Sequence, residues 1–232
     1  MRQFLWALIP AFSWLFAGAA DALPRDKNWT QCTGDIDDDN LIIAGCTAII
    51  RSRDEPDANR AIAFTNRCMA INNTGNHDRA ILDCDQAIRL TPRDPQAYLS
   101  RAHALFNKGD YDRAILDYGQ AITLGSETAN TYVARGAAYH KMGDNPRAIE
   151  DLDQAIKLDP NNATAYFARG AAYQAQNQND HAIADYSQAI GLAPKFAAAI
   201  YLRGSVKKLS GDVRGGEADI AQARKIDPTV GK

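Results

Sequence analysis

The sequence lacks the features that mark membrane proteins, nucleic-acid binders and most enzymes. After residue 22 no apolar run is long enough to cross a bilayer, so we expect no membrane association of the chain without its first 22 residues. Lys and Arg number 26 against 28 Asp and Glu, so the net charge of −2 provides no basic excess for nucleic acid or anionic lipid. Gly-rich phosphate loops, nucleophile elbows and paired His motifs are also missing. We therefore expect no enzyme, no cofactor and no nucleic-acid partner.

The first 22 residues differ from the rest of the chain. Arg2 precedes an apolar run over residues 4–16, which is too short to span a bilayer. Small residues follow, and they offer two A-x-A cleavage sites that end at Ala19 and Ala22. This order is typical of a secretory signal peptide, and we expect residues 1–22 to be one. An uncleaved membrane anchor is the alternative.

A 34-residue repeat fills most of the remaining sequence. The clearest marker is an arginine at position 7 of each unit: Arg67, Arg101, Arg135, Arg169 and Arg203. Five units follow one another without gaps, at residues 61–94, 95–128, 129–162, 163–196 and 197–230. Within each unit, apolar and small residues follow helical spacing in two stretches, with a turn signal between them and Pro near the end of most units. Each unit is therefore predicted to form two helices.

The residues at fixed places in these units resemble the tetratricopeptide repeat. The shared pattern is an aromatic residue at position 4, Gly or Ala at 8, an aromatic residue or Leu at 11, Ala at 20 and 27, and Pro at 32. This resemblance implies an all-α fold, a right-handed superhelical solenoid of about five helix–turn–helix repeats. It also implies that ligands lie in a concave groove made by the first helix of each repeat. Four residues depart from the pattern. Cys68 replaces Gly or Ala at position 8, and Cys84 takes a place that is large, often aromatic, in other units, position 24. Lys207 replaces the aromatic residue at position 11, and Gly216 replaces Ala at position 20.

The two ends of the array differ from its middle. Residues 23–60 are predicted to form a disulfide-tied N-terminal cap and half-repeat, because residues 41–50 read as a second helix without a full first helix before it. Isoleucine at positions 21 and 28 of the first four units is expected to pack on the following unit. In the fifth unit Glu217 and Arg224 replace it, and Gly215 and Gly216 are expected to weaken the helix. The fifth unit is therefore predicted to cap the solenoid, and the protein to be a monomer.

The four cysteines are predicted to form two disulfides, since the chain has a signal peptide. Cys68 and Cys84 occupy positions 8 and 24 of one unit and no other unit has Cys there, so internal comparison pairs them. Cys32 is then left for Cys46. Buried free thiols are the alternative.

Arginine at position 7 is matched by aspartate at position 23 of every unit. The fixed offset predicts a repeated ion pair between the two helices of a unit. A stripe of ligand-binding arginines is the alternative. The aspartates are Asp83, Asp117, Asp151, Asp185 and Asp219.

The resemblance places a partner-binding groove at unit positions 2, 5, 9, 12 and 13 of the first helices. The candidate groove residues are Thr65, Met69, Asn72, Leu99, His103, Phe106, Asn107, Asn130, Val133, His140, Lys141, Phe167, Gln174, Tyr201, Ser205 and Lys208. They are mostly apolar or amide side chains, with two lysines and no acid, which is the composition of a peptide-binding surface. Some, such as Leu99 and Phe167, belong to the core in the alternative interpretation. The carboxylate clamp of some family members is not expected, because Thr65 and Met69 hold its Lys and Asn places.

These features together indicate an exported scaffold, periplasmic or secreted, that binds a peptide or partner protein in its groove. The alternative is a periplasmic protein that binds a metal or a cell-wall fragment, or an enzyme, using the same groove. His103 and His140 are its best candidates, since only these two of the four histidines could share a face. We expect no metal site, because two histidines without a carboxylate make a poor ligand set.

Overall fold

A computed structural model describes residues 27–34 and 37–231. The regular secondary structure in this part of the chain is entirely α-helical. The predicted signal peptide, residues 1–22, lies outside the described residues. Two helices precede the repeats and two belong to each of the five units. The helices are α1 (Lys27–Thr33), α2 (Asp39–Arg51), α3 (Asp57–Asn73), α4 (His77–Leu90), α5 (Pro95–Lys108), α6 (Tyr111–Thr123), α7 (Ala129–Lys141), α8 (Asn145–Leu158), α9 (Ala163–Ala175), α10 (Asn179–Leu192), α11 (Ala197–Leu209) and α12 (Val213–Ile226).

The second helix of a unit begins where a polar side chain caps it. Asp110, Asp144 and Asp212 each accept a hydrogen bond from the backbone N–H three residues later. Asn76 does the same for α4, whereas Gln178 makes no such bond at the start of α10. These caps satisfy an N–H group that has no partner inside the helix. They fix the start of the second helix in four of the five units.

Position 15, in the turn between the two helices of a unit, has a positive φ in every unit. Glycine occupies it in four units, and Asn177 occupies it in the fourth with φ of 60°. Only glycine, or at small cost asparagine, adopts this left-handed conformation readily. The turn signal in the sequence therefore reflects a backbone requirement. The residues at this position are Gly75, Gly109, Gly143, Asn177 and Gly211.

The core runs along the array, because each second helix packs on its own first helix and on the first helix of the next unit. Ala148 and Leu152 of α8, for example, form a buried cluster with Ala172 of α9. Ile149, at position 21, packs against this same cluster. This is the contact with the following unit that the sequence predicts for the isoleucines. Small residues at positions 8, 20 and 27 allow the helices to approach closely.

The N-terminal segment adds a short helix to the predicted half-repeat. The seven residues of α1 occupy the place of a first helix, and Cys32 in α1 lies at disulfide distance from Cys46 in α2. Gly45 allows this approach, since a Cβ atom there would lie 2.6 Å from the Asn28 carbonyl oxygen. None of the helices in the described residues is long and apolar enough to cross a membrane.

The C-terminal unit presents Glu217 and Arg224 to solvent, where earlier units have isoleucine. Gly216 has a role that differs from the expected weakening of the helix. It is buried, and a Cβ atom there would lie 2.5 Å from the Gly204 carbonyl oxygen. The glycine therefore lets α12 pack closer to α11 than an alanine would allow.

Candidate functional site

The candidate groove lies on the first helices α3, α5, α7, α9 and α11. Because the unit length is constant, the same positions recur on each helix. One hydrogen bond connects two of these positions on neighbouring first helices, and another connects a groove position to the residue that precedes the next first helix. Asn107 Nδ2 donates to Asn72 Oδ1 at 3.3 Å, and Asn162 Nδ2, in the loop before α9, donates to Asn130 Oδ1 at 3.3 Å. The structure therefore brings the predicted positions of successive repeats side by side.

Several of the predicted groove residues are accessible to solvent. Met69, His103, Asn107, Asn130, Lys141 and Lys208 have exposed side chains. Thr65 and Asn72 differ from the expectation, because both are buried. Their contribution to a ligand surface is therefore small, and Met69 is the exposed one among the three residues predicted in the first repeat.

The apolar groove residues have one side on the core and another toward solvent. Leu99 and Phe106 pack against the core of the first repeats while staying partly accessible. Val133 is placed in the same way in the third repeat. The Phe167 ring packs on Phe196, with 4.7 Å between ring centroids, and this contact shields part of it. These side chains therefore support the core, as the alternative interpretation expects for Leu99 and Phe167, and keep part of their surface accessible.

The remaining groove residues, Tyr201 and Ser205, lie at the C-terminal end on α11, and both are half-buried. The Ser205 hydroxyl donates to the Tyr201 carbonyl oxygen within the helix, at 3.0 Å. Gly231 passes close to the Tyr201 ring, since a Cβ atom on Gly231 would lie 2.4 Å from the Tyr201 hydroxyl oxygen. The end of the described chain therefore covers part of the last groove position.

Two polar groove residues are oriented by partners on the second helices. Gln174 Oε1 accepts a hydrogen bond of 2.7 Å from the hydroxyl of the buried Tyr186. His140 Nδ1 lies 2.7 Å from Asn145 Oδ1, and since the amide oxygen only accepts, Nδ1 must carry the proton. The Gln174 amide nitrogen and His140 Nε2 are the groups left for a ligand.

His103 lies beside a buried aromatic ring of the second repeat. Desolvation by the surrounding side chains lowers its pKa from 6.5. Its ring meets the Tyr118 ring edge-on, at a centroid distance of 5.5 Å. The lowered pKa disfavours the charged form of His103, and Lys141 and Lys208 are the lysines at the groove positions.

Two exposed apolar side chains at groove positions were missed from the sequence. Ile62 at position 2 and Leu209 at position 13 are both exposed, Leu209 to 75%. Their unit positions are those of Asn130 and Lys141, so the repeat register could have identified them. They extend the apolar part of the groove at both ends.

The repeated ion pair between the helices of a unit is present in all five units. In each, Nε and Nη2 of the arginine donate to the two carboxylate oxygens of the aspartate, at 2.7 to 2.8 Å. Each arginine also lies over an aromatic ring in the first four units, as Arg135 does over Tyr132. The arginines thus join the helices and are not a ligand-binding stripe in the groove.

Lys207 departs from the repeat pattern and adds an ion pair to the fifth unit. It replaces an aromatic residue, and its Nζ lies 3.0 Å from Asp219 Oδ2. Burial alone would raise the pKa of Asp219, but hydrogen bonds from Arg203 and Lys207 outweigh it and lower the pKa below 3.8. The fifth unit therefore has a second cation on its buried aspartate.

The cysteines lie in the two pairs that internal comparison predicts. Cys68 and Cys84 join α3 to α4, with Cα atoms 5.6 Å apart, and Cys32 and Cys46 join α1 to α2. All four are buried. In the part of the chain that the structure describes, no group of three or more His, Cys, Asp or Glu could hold a metal ion.

Family models match much of the repeat region. A family described as TPR repeat matches residues 102–143 and 138–177, and two described as tetratricopeptide repeat match residues 163–196 and 84–116. The range 163–196 coincides with the fourth unit. Among curated proteins, no significant match is found.

Solved structures with similar folds are repeat proteins as well. A tetratricopeptide repeat protein from Parabacteroides merdae superposes with a TM-score of 0.70 at 16% identity, covering 81% of this chain and 73% of that one. MamA from Desulfovibrio magneticus has a TM-score of 0.66 at 20% identity, covering 74% and 97%. YrrB, described as a TPR protein with an unusual peptide-binding site, has a TM-score of 0.62 at 21% identity, covering 80% and 93%. At these identities the likeness concerns the fold.

Proposed function

Because the chain belongs to the tetratricopeptide-repeat family, we propose that it is an exported, non-catalytic scaffold that binds an extended segment of a partner protein. The segment lies in the groove of the first helices. One observation carries the proposal: solvent-accessible apolar side chains run along this groove beside amides and two lysines, without a single Asp or Glu at the groove positions. Apolar contacts supply affinity, and the amides pair with the backbone of the segment.

The composition of the groove selects its ligand. Phe106, Val133 and Phe167 offer partly exposed apolar surface in three consecutive repeats. Lys141 and Lys208 favour a segment with acidic residues toward one end. The description of YrrB as having a peptide-binding site agrees with this class of ligand.

Photo-crosslinking tests where the partner binds. A photoreactive phenylalanine analogue replaces Val133 in the groove or, as a matched control in the same repeat, the exposed Lys157 of α8. Each variant is mixed with the periplasmic or secreted proteins of the host cell and irradiated. A partner protein should be crosslinked to residue 133 and not to residue 157. Equal crosslinking from both residues would contradict binding in the groove.

Export is a separate part of the proposal. The signal-peptide pattern and four cysteines that all find partners agree with an oxidising compartment, the periplasm or the exterior. N-terminal sequencing of the protein from fractionated cells should give Leu23 as its first residue. Recovery in the cytosol with Met1 intact would refute export.

The same proposal includes a monomeric state. Glu217 and Arg224 are exposed on the last helix, and docking another chain there would desolvate both charges. Light scattering should therefore give the mass of one chain, and Glu217→Ile combined with Arg224→Ile should cause concentration-dependent association. A stable dimer whose mass the double substitution leaves unchanged would contradict this.

A further inference from the structure

The arginines of the repeated ion pair make a second contact that crosses from one repeat to the preceding one. Their third nitrogen, Nη1, reaches the residue at position 25 of the preceding second helix. The four such hydrogen bonds are Arg67 to Thr47 at 2.8 Å, Arg101 to Asp85 at 2.7 Å, Arg169 to Asp153 at 2.6 Å and Arg203 to Ser187 at 3.2 Å. Each links two repeats through a hydroxyl or a carboxylate.

Arg135 is the arginine of this series without that partner. Position 25 of the preceding repeat is Gly119, and a Cβ atom there would lie 3.5 Å from Arg135 Nη1. Nε and Nη2 of Arg135 donate to Asp151, but among the described residues no side chain accepts from Nη1. We refer to Gly119 and Arg135 Nη1 as the Arg135 notch. It has the donor of the other repeats and lacks the acceptor.

The notch is partly accessible to solvent, since the Arg135 side chain is 22% exposed and Gly119 is half-buried. At the equivalent places in the repeats on either side, the side chains of Asp85 and Asp153 are 40% and 49% exposed. A carboxylate that pairs with the third nitrogen of the arginine can therefore be reached from outside. Gly119 occupies the same unit position as Asp85 and Asp153, so the space beside it faces the same side of the repeat.

Exposed leucines lie next to the notch. Leu116 precedes Gly119 by one helical turn on α6 and is 72% exposed, and Leu82, its equivalent on α4, is 64% exposed. The same position holds Glu150 and Ala184 in the third and fourth repeats. At this position of the second helix, large exposed apolar side chains therefore occur in the two repeats that lead up to Arg135 and not in the third or fourth repeat.

We propose that the Arg135 notch binds an Asp or Glu side chain of a partner protein, whose neighbouring apolar residues pack on Leu116 and Leu82. The carboxylate takes the place that Asp85 and Asp153 fill in the adjacent repeats, with Nη1 as donor. A charge-assisted hydrogen bond to arginine supplies the specificity. The exposed leucines select a protein segment and not a free anion, because a small anion could not cover them. The surface combines Arg135 of the first helix α7 with Gly119, Leu116 and Leu82 of second helices, and none of these residues is at a groove position.

The first test selects the ligand without assuming its sequence. A displayed library of random dodecapeptides is selected on the wild-type protein and depleted on the Gly119→Asp variant, whose new carboxylate should occupy the notch from within. The surviving peptides should share an Asp or Glu with an apolar residue close to it. Survivors without such an acid would overturn the proposal.

Fluorescence anisotropy with one selected synthetic peptide then measures the contribution of the carboxylate. Gly119→Asp should weaken binding about tenfold or more, the effect of losing one charge-assisted hydrogen bond. Replacing the acid of the peptide by its amide should weaken it about equally. Gly119→Ala is the matched control: its Cβ atom has room at 3.5 Å and supplies no carboxylate, so binding should change less than about threefold. Because the peptide is preselected against Gly119→Asp, the deciding measurement is the amide peptide: binding as tight as that of the acid peptide would refute the notch as the site.

A transplant provides the converse test, and it does not depend on a loss of binding. Gly119→Asp, Asp153→Gly and Glu150→Leu are combined, so that the native notch is closed and a notch with its own leucine is created at Arg169, next to Leu116. Binding of the peptide should return to within about threefold of wild type, whereas Gly119→Asp alone stays weak. Circular dichroism confirms that the triple variant is folded, and a folded variant that binds no better than Gly119→Asp would contradict the proposal.

Discussion

The first and fourth repeats make the same contact between their helices with different chemistry. Positions 8 and 24 are Cys68 and Cys84 in the first repeat, and Gly170 and Tyr186 in the fourth. All four residues are buried. A Cβ atom on Gly170 would lie 2.9 Å from the Tyr186 ring, so the glycine is small because the tyrosine fills the space. The fold therefore requires a filled contact at this place and not one particular residue pair.

The two solutions stabilise the protein by different routes. A disulfide acts largely by restricting the unfolded chain, and it is lost under reducing conditions. The tyrosine acts by removing a large ring from water and by packing. The fourth repeat also gains a link to the groove, since the Tyr186 hydroxyl donates to Gln174. The first repeat is thus sensitive to redox conditions, whereas the fourth couples its core to the ligand surface.

The largest expected effect comes from breaking the contact in the fourth repeat. Tyr186→Ala should lower the free energy of unfolding of the region around it by about 3–5 kcal/mol, because a fully buried aromatic ring leaves a cavity. Urea unfolding followed by circular dichroism gives the magnitude. Hydrogen exchange gives the location: amides in α9 to α11 should lose protection first, since repeats contact only their neighbours. Equal loss of protection in α3 and α4 would contradict this localisation.

Removing the covalent contact in the first repeat should have the next largest effect. Cys68→Ala with Cys84→Ala should cost about 2–4 kcal/mol of unfolding free energy. Urea unfolding measures the loss, and dithiothreitol should destabilise this variant less than wild type, because only the Cys32 and Cys46 pair remains to be reduced. Peptide mapping of unreduced wild type should find both pairs, and a link from Cys46 to Cys68 would disprove the pairing.

The comparison also shows what the sequence could and could not predict. The pairing of Cys68 with Cys84 could be predicted because both deviate from the pattern in one unit. The pairs of arginine with aspartate could be predicted because their offset is constant. The burial of Thr65 and Asn72 could not, since the local depth of the groove depends on how the first helices of adjacent repeats pack. The close approach of Gly216 to Gly204 follows the repeat pattern, since small residues are expected at positions 8 and 20 of each unit.

The Arg135 notch could not be predicted from the sequence either, because a glycine at position 25 does not by itself indicate which side chain of another repeat lies next to it. Gly119 becomes informative only when position 25 is known to face the arginine of the next repeat. That register is set by the superhelical packing of one repeat on another. The sequence provides the repeat alignment, and the structure shows which positions of two units meet.

A smaller effect is expected from separating the two roles of Tyr186. Tyr186→Phe keeps the ring and removes the hydroxyl that orients Gln174, so unfolding should become easier by about 0.5–1.5 kcal/mol. Tyr118→Phe in the second repeat is the matched control: within the described residues its hydroxyl has no hydrogen-bond partner, so the cost should be smaller. Urea unfolding of both variants provides the difference. An equal loss in both would show that the bond to Gln174 contributes nothing.

The smallest effects should come from exchanging the turn residues that the third and fourth repeats do not share. Gly143 and Asn177 both adopt positive φ at position 15, at 83° and 60°. Asparagine tolerates this conformation better than other non-glycine residues, while glycine loses more freedom on folding, so the two preferences nearly cancel. Gly143→Asn and Asn177→Gly should each change the free energy of unfolding by less than about 0.5 kcal/mol.

The control is Gly143→Ala, which should cost about 1–2 kcal/mol. At positive φ the Cβ atom of alanine lies too close to the following carbonyl oxygen. No other atom lies within 4 Å of a Cβ atom at Gly143, so this cost reflects the backbone conformation alone. Thermal unfolding of the three variants ranks them, and a Gly143→Asn variant as unstable as Gly143→Ala would show that the third turn needs glycine for a reason other than its φ angle.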